Sequence, residues 1–136
     1  MKITAIDGHP GTERLVSALM DKYLVAAKTS GAEVSKFALR DIEFDPVLHE
    51  GYRSRQNWEP GLQEIVESIQ SSDHLLIGFP MWWGMMPASL KGFFDRTFLP
   101  GRPLNIMKTI RFGIVYFAGK ALMLLLQRTH LGFISN

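Results

Sequence analysis

The run "HLLIGFP", His74 to Pro80, is apolar with no polar alternation. A strand with one wet face alternates apolar and polar side chains, whereas a strand covered on both faces reads as a continuous apolar run. The stretch therefore predicts a central parallel strand with helices above and below it. Neighbouring strands and two covering layers must come from the rest of the chain. At 136 residues, the sequence is long enough to supply them around one core.

The flanking segments fit that demand. "KITAIDG" (Lys2 to Gly8) reads as a first strand ending at the turn Gly8-His9-Pro10-Gly11. Leu15, Ala18, Leu19, Tyr23 and Ala26 then recur at helical spacing until Gly31. "AEVSKFAL" (Ala32 to Leu39) reads as a second strand. The polar stretch from Arg40 to Glu59, with Pro46, Gly51 and Trp58, has no period and reads as a long connection. Pro60 suits the first position of a helix whose buried stripe is Leu62, Ile65, Val66 and Ile69. Pro87 opens another, with Leu90, Phe93, Phe94 and Phe98 on one face, up to a stop at Pro100-Gly101. "IRFGIVYF" (Ile110 to Phe117) has strand composition, "GKALMLLLQRTH" is helical in pattern, and "LGFIS" is a last apolar piece. The expected class is α/β: an open parallel sheet with helices on both faces, three layers, in a single domain over 1–136 without repeats or a dividing linker.

Charge and composition narrow the function. The formal charge is +2, and Lys and Arg are scattered apart from Arg53 and Arg55, so no nucleic-acid stripe stands out. The absence of cysteine excludes disulfides, thiolate metal sites and a cysteine nucleophile, and fits a cytoplasmic protein. Redox chemistry here needs a borrowed cofactor. "MKITAIDGHPG" is too short and polar for a signal peptide, and "ALMLLLQ" is too short to cross a bilayer, so no membrane insertion is expected. His74 reads as structural, His49 and His130 as solvated. No metal site and no catalytic acid or base is assigned.

In an open parallel α/β sheet, ligands bind outside the carboxyl ends of the strands, where "DGHPGTER" and "PMWWGMMP" fall. In the first loop, Gly8 and Gly11 let the backbone approach an anion. The amino end of the next helix offers unpaired N–H groups and partial positive charge, and Thr12 and Arg14 add donors. The loop matches neither G-x-x-x-x-G-K-[ST] nor G-x-G-x-x-G, which disfavours a nucleotide triphosphatase and a Rossmann site. A plain tight turn with His9 bonded locally is the other reading. In the second loop, Trp82 and Trp83 stand on a turn between Pro80 and Gly84, so that at least one indole faces the crevice. Its backbone N–H groups can meet the rim of a planar heteroaromatic ligand, and Gly84 allows close approach. The alternative has one indole plugging the sheet end and the other packing on a partner subunit.

Two stretches carry a resemblance. "HPGTERLVSAL" and "LLIGFPMWWGMMPASLKGFFDRTFLPG", with the spacing between them, resemble the flavin-dependent NAD(P)H:quinone oxidoreductases of the flavodoxin-like fold, over about Lys2 to Gly101. The resemblance implies bound FMN or FAD, NAD(P)H as electron donor and a quinone-like small-molecule acceptor. It implies flavin-ring contacts from Pro80, Met81, Trp82, Trp83 and Gly84, mostly through backbone, and a first-loop site at His9, Gly11, Thr12, Arg14 and Leu15. Where the family usually has Ser-Phe-Asn or similar, this chain has Arg14-Leu15-Val16. A hydroxyl and an amide are lost there, and Arg14 can pair with a phosphate instead. After Gly101 the match weakens, and the remaining segment is too short for the family's aromatic segment, fourth strand and closing Thr/Gly loop, so a domain shortened after about residue 101 is expected. A homodimer is expected as well, with Tyr52, Trp58 and Met85 lining its pocket. Two other functions fit the same resemblance: a flavin-binding ancillary subunit of a potassium-efflux system, and a shortened, inactive relative.

Overall fold

The computed structural model describes residues 1–99, 110–117 and 121–128. Five strands form one sheet in the order β2-β1-β3-β5-β4. Strand β1 (Lys2–Asp7) lies between β2 (Glu33–Ala38) and β3 (His74–Pro80), and both pairings are parallel. The continuous apolar run of β3 is explained by its place: every residue after His74 is buried. The run β1 to β2 and the run β2 to β3 leave the sheet on opposite faces, so the loops after β1 and β3 flank a topological switch point.

Helix α1 (Leu15–Thr29) covers one face through Met20 and Leu24, which pack with Ile3, Ala5 and Leu76. Its buried residues are Val16, Ser17, Met20 and Leu24, not the stripe expected from Leu15, Ala18 and Tyr23. The close seat of Met20 and Val16 over Gly78 fixes the helix rotation and turns Leu15 outward, 60% exposed. Helix α2 (Pro60–Ser71) covers the other face with the expected Leu62, Ile65, Val66 and Ile69. Helix α3 (Ala88–Thr97) joins it there, with Leu90 and Phe93 buried and Phe94 and Phe98 packed alongside. Burial of each such side chain contributes about 1.5–3 kcal/mol.

The far side of the sheet departs from a purely parallel arrangement. Strand β4 (Ile110–Phe117) falls where its composition suggests, but residues Ala121–Arg128 form β5, a strand antiparallel to both β3 and β4. The sequence pattern predicts a helix there. A short apolar run such as Leu122 to Leu126 reads alike as a buried helix turn or a buried strand, and pairing along β3 from Pro80↔Ala121 to His74↔Gln127 decides it. The expected stop at Pro100-Gly101, the segment "LGFIS" and His130 lie outside the described residues. Among the described residues no helix is long and apolar enough to cross a membrane.

The long connection after β2 is irregular beyond a short 3₁₀ turn, Leu39–Asp41, yet it is pinned from α3. The Arg96 side chain is 1% exposed and forks onto Glu59 at 2.9 and 3.1 Å. It also donates to the carbonyls of Asn57, at 2.7 Å, and Asp45. The Trp58 indole N–H returns a bond to the Arg96 carbonyl at 2.7 Å. Trp58 is thus an anchor between the connection and α3, while its half-buried ring also lines a surface cavity with Arg55, Gln63 and Gln70. A Cβ on Gly92 would lie 2.6 Å from the Pro46 carbonyl oxygen, so glycine is what lets the connection lie flat on α3. Arg96→Met should lower stability by an amount near the low end of the roughly 3–5 kcal/mol typical of a broken buried pair, because Glu59 keeps some solvent contact. Urea unfolding followed by far-UV circular dichroism would register the lower midpoint, and adding Glu59→Gln should recover part of it.

Candidate functional site

The carboxyl ends of β1 and β3 are tied by the Gly8 N–H, which donates to the Gly78 carbonyl at 2.7 Å. From there the two expected loops run side by side. The His9 ring meets the Trp82 indole edge-on, with centroids 5.9 Å apart and planes at 83°. Residues that the sequence places 73 positions apart thus form one wall at the switch point between β1 and β3.

The Trp turn is closed by its own backbone. Trp82 N–H donates to the Met85 carbonyl and Met85 N–H to the Trp82 carbonyl, both at 2.9 Å. Trp83 and Gly84 have φ of 52° and 70°, the two positive values of a type I′ turn. Glycine adopts this at no steric cost, whereas the tryptophan is strained. Neither of the two central N–H groups, of Trp83 and Gly84, bonds to another described residue. Trp83 is fully exposed and Trp82 about half exposed, while Pro80 is buried and Met81 half-buried. Met86 packs against the core, and Met85 faces solvent.

The first loop is shaped from beneath by a charge that sequence reasoning missed. Asp7 ends β1 with its side chain fully buried. One of its oxygens accepts the His9 N–H at 3.1 Å, and the other accepts Ser17 Oγ at 2.5 Å and Arg40 Nη1 at 2.9 Å. Arg40 Nη1 also reaches the His9 carbonyl at 3.3 Å. Burial alone would raise the Asp7 pKa, but the bonds from Ser17, Arg40 and the His9 N–H outweigh it and hold the carboxyl below its ordinary value. The available signal was an acidic residue closing an otherwise apolar strand, since such a charge must be paired if it is buried. Nothing in the spacing pointed to Arg40.

Above this base, His9 Nδ1 accepts the Gly11 N–H at 2.8 Å, which assigns the ring proton to Nε2. Burial, with the Arg14 charge nearby, lowers the His9 pKa in spite of Asp7. The ring is therefore neutral near pH 7. The Arg14 guanidinium lies over Gly11, where a Cβ would come within 3.0 Å of Nε. Thr12 and Leu15 are exposed beside it. Arg14 caps α1 without a side-chain bond, and the first turn holds no acidic residue, so the amino end of the helix keeps unpaired donors and its partial positive charge. The donor set suits an anion at the first loop, and the Trp turn suits a planar ring.

Fold and crevice together are those of a flavodoxin-like protein. The family model described as "Flavodoxin-like fold" matches residues 1–131, and the chain belongs to that family. It is similar to an iron-sulfur flavoprotein of Methanosarcina thermophila, 29% identical over 102 residues that cover 73% of this chain and 53% of the relative. An FMN-dependent NADH:quinone oxidoreductase of Azospirillum brasilense is 28% identical over 124 residues, covering 80% and 60%. The solved NAD(P)H:quinone oxidoreductase of Methanothermobacter marburgensis shares the fold with a TM-score of 0.66 at 24% identity, over 74% of this chain and 54% of that one. The chain spans about half the length of the curated relatives it matches.

The Asp7 cluster makes stability depend on pH in a definite direction. A carboxyl whose folded pKa is depressed stabilises the fold above its unfolded value, about 3.9, and that contribution is lost as pH falls through the folded value. The unfolding free energy should therefore decline on acidification below about pH 4. Asp45 and Glu59, also depressed, add to the same slope. Asp7→Asn should be less stable at pH 7 and show a shallower acid slope, so the difference between the two denaturation series isolates Asp7.

Proposed function

We propose that this chain is one flavin-binding domain that holds FMN at the two loops and passes reducing equivalents from NAD(P)H to a quinone-like acceptor in the cytoplasm. The observation that carries the reading is the pairing of an uncapped, cationic helix start with a Trp turn whose central N–H groups are free of described partners, in contact through His9 and Trp82. The first end suits a phosphate and the second a planar, polar-rimmed ring. The name of the Azospirillum brasilense relative supports this choice of chemistry.

In this reading Gly11, Thr12 and Arg14, with the N–H groups of the first turn of α1, bind the phosphate. Leu15 and the tryptophans supply apolar cover. The Trp83 and Gly84 N–H groups meet the ring edge as fixed dipoles and favour negative charge there without reorganising. A flavin, when bound, supplies hydride acceptance from a nicotinamide and two-electron delivery to a quinone. The protein's part is to hold and orient. Exposed Tyr52 and Met85, with the half-buried Trp58, are the large residues available to line a pocket at a homodimer interface, and light scattering at micromolar concentration should give the mass of a dimer.

Fluorescence titration with FMN tests the site. Trp83→Phe should keep most of the affinity, because a ring remains and no backbone donor is lost. Gly84→Val should weaken binding, since a β-branched residue at φ of 70° is disfavoured by about 1–3 kcal/mol. Unchanged affinity in both variants would remove the turn from the site. Steady-state oxidation of NADH with a soluble quinone, run on the flavin-loaded protein, tests the activity.

A further inference from the structure

The two halves of the crevice are held by separate devices. The Trp turn closes on itself through the paired bonds of Trp82 and Met85. The His9 loop has no such internal ladder and is gripped from below. Asp7 takes the His9 N–H, and Arg40, anchored on the other Asp7 oxygen, reaches the His9 carbonyl. Both polar backbone groups of one residue are thereby fixed by one ion pair. From that fixed main chain the imidazole turns its Nδ1 onto the Gly11 N–H, which orients the next peptide of the loop and keeps the ring proton on Nε2. Arg40 lies on the 3₁₀ turn after β2, outside both loops.

We propose that Asp7 and Arg40 are positioning residues for phosphate recognition: they set the main chain and tautomer of His9, and so hold the 9–14 loop in its anion-accepting shape. The proposal rests on the flavin reading of the site. It separates the two ends of the ligand, because losing Arg40 disturbs the loop at the phosphate and leaves the self-closed Trp turn intact.

FMN and riboflavin differ only in the phosphate, so their affinity ratio reports that end alone. Arg40→Met should weaken FMN binding by about 10- to 100-fold, the worth of a charged hydrogen-bond network. Riboflavin binding should stay within about twofold, as for a change remote from its contacts. Nitrogen NMR of the flavin-free protein should show the His9 ring passing from the single Nε2–H tautomer to a mixture. Because Arg40→Met strands a buried carboxylate, Arg40→Met combined with Asp7→Asn is measured beside it, and Arg40→Lys should recover part of the FMN preference. Equal losses for FMN and riboflavin, no loss at all, or an unchanged His9 tautomer would overturn the proposal while leaving the flavin site standing. A wild-type protein that binds neither flavin would remove the flavin reading itself, and this proposal with it.

Discussion

A carboxylate with no solvent contact at the end of the interior strand β1 is the constraint on which the crevice depends. Asp7 cannot remain ionised there unless several donors converge on it. Ser17 from α1, Arg40 from the turn after β2 and the His9 N–H from its own loop do so. Each donor belongs to a different element, so satisfying one charge also fixes where α1 begins, where β2 hands over to the long connection, and how the first loop leaves the sheet. The geometry of the candidate site follows from an electrostatic requirement more than from the loop's own sequence.

Arg96 plays a comparable part on the opposite face. Its guanidinium gathers Glu59 and the carbonyls of Asp45 and Asn57, so an otherwise unpatterned connection lies fixed across α3. Charge fixes the irregular segments in both places, and in the long connection it acts together with Leu39, Ile42, Phe44 and Trp58 packed on the core. The regular elements are ordered the other way, through Ile6, Leu62, Ile65, Ile77 and Phe93 in one cluster and Ile3, Met20 and Leu76 in the other.

What the sequence discloses follows this division. β3 and α2 are legible because a continuous apolar run and a clean helical stripe each have one structural solution. The two turns that close β1 and β3 are legible as turns because Gly and Pro punctuate the strand ends there, and their meeting through His9 and Trp82 follows from the parallel sheet. The rotation of α1 is not, since Leu15 and Val16 are equally apolar and only the close approach to Gly78 selects between them. β5 reads wrongly as a helix because its run of leucines carries no period, and its partner β3 lies more than 40 positions earlier in the chain. The pairing of Asp7 with Arg40 spans 33 positions and depends on sheet register, which local pattern does not encode.

Trp83 occupies a backbone conformation that favours glycine or asparagine, and its side chain gains no burial in return. Folding stability and the presence of an aromatic face at this position therefore pull in opposite directions. A library of variants ranked only by resistance to heat would enrich for glycine or asparagine at residue 83 and discard the indole. On the proposed flavin reading the same library ranked by capture of a planar ligand would keep an aromatic ring there, so disagreement between the two rankings at a single position becomes a test of whether that surface meets the ring.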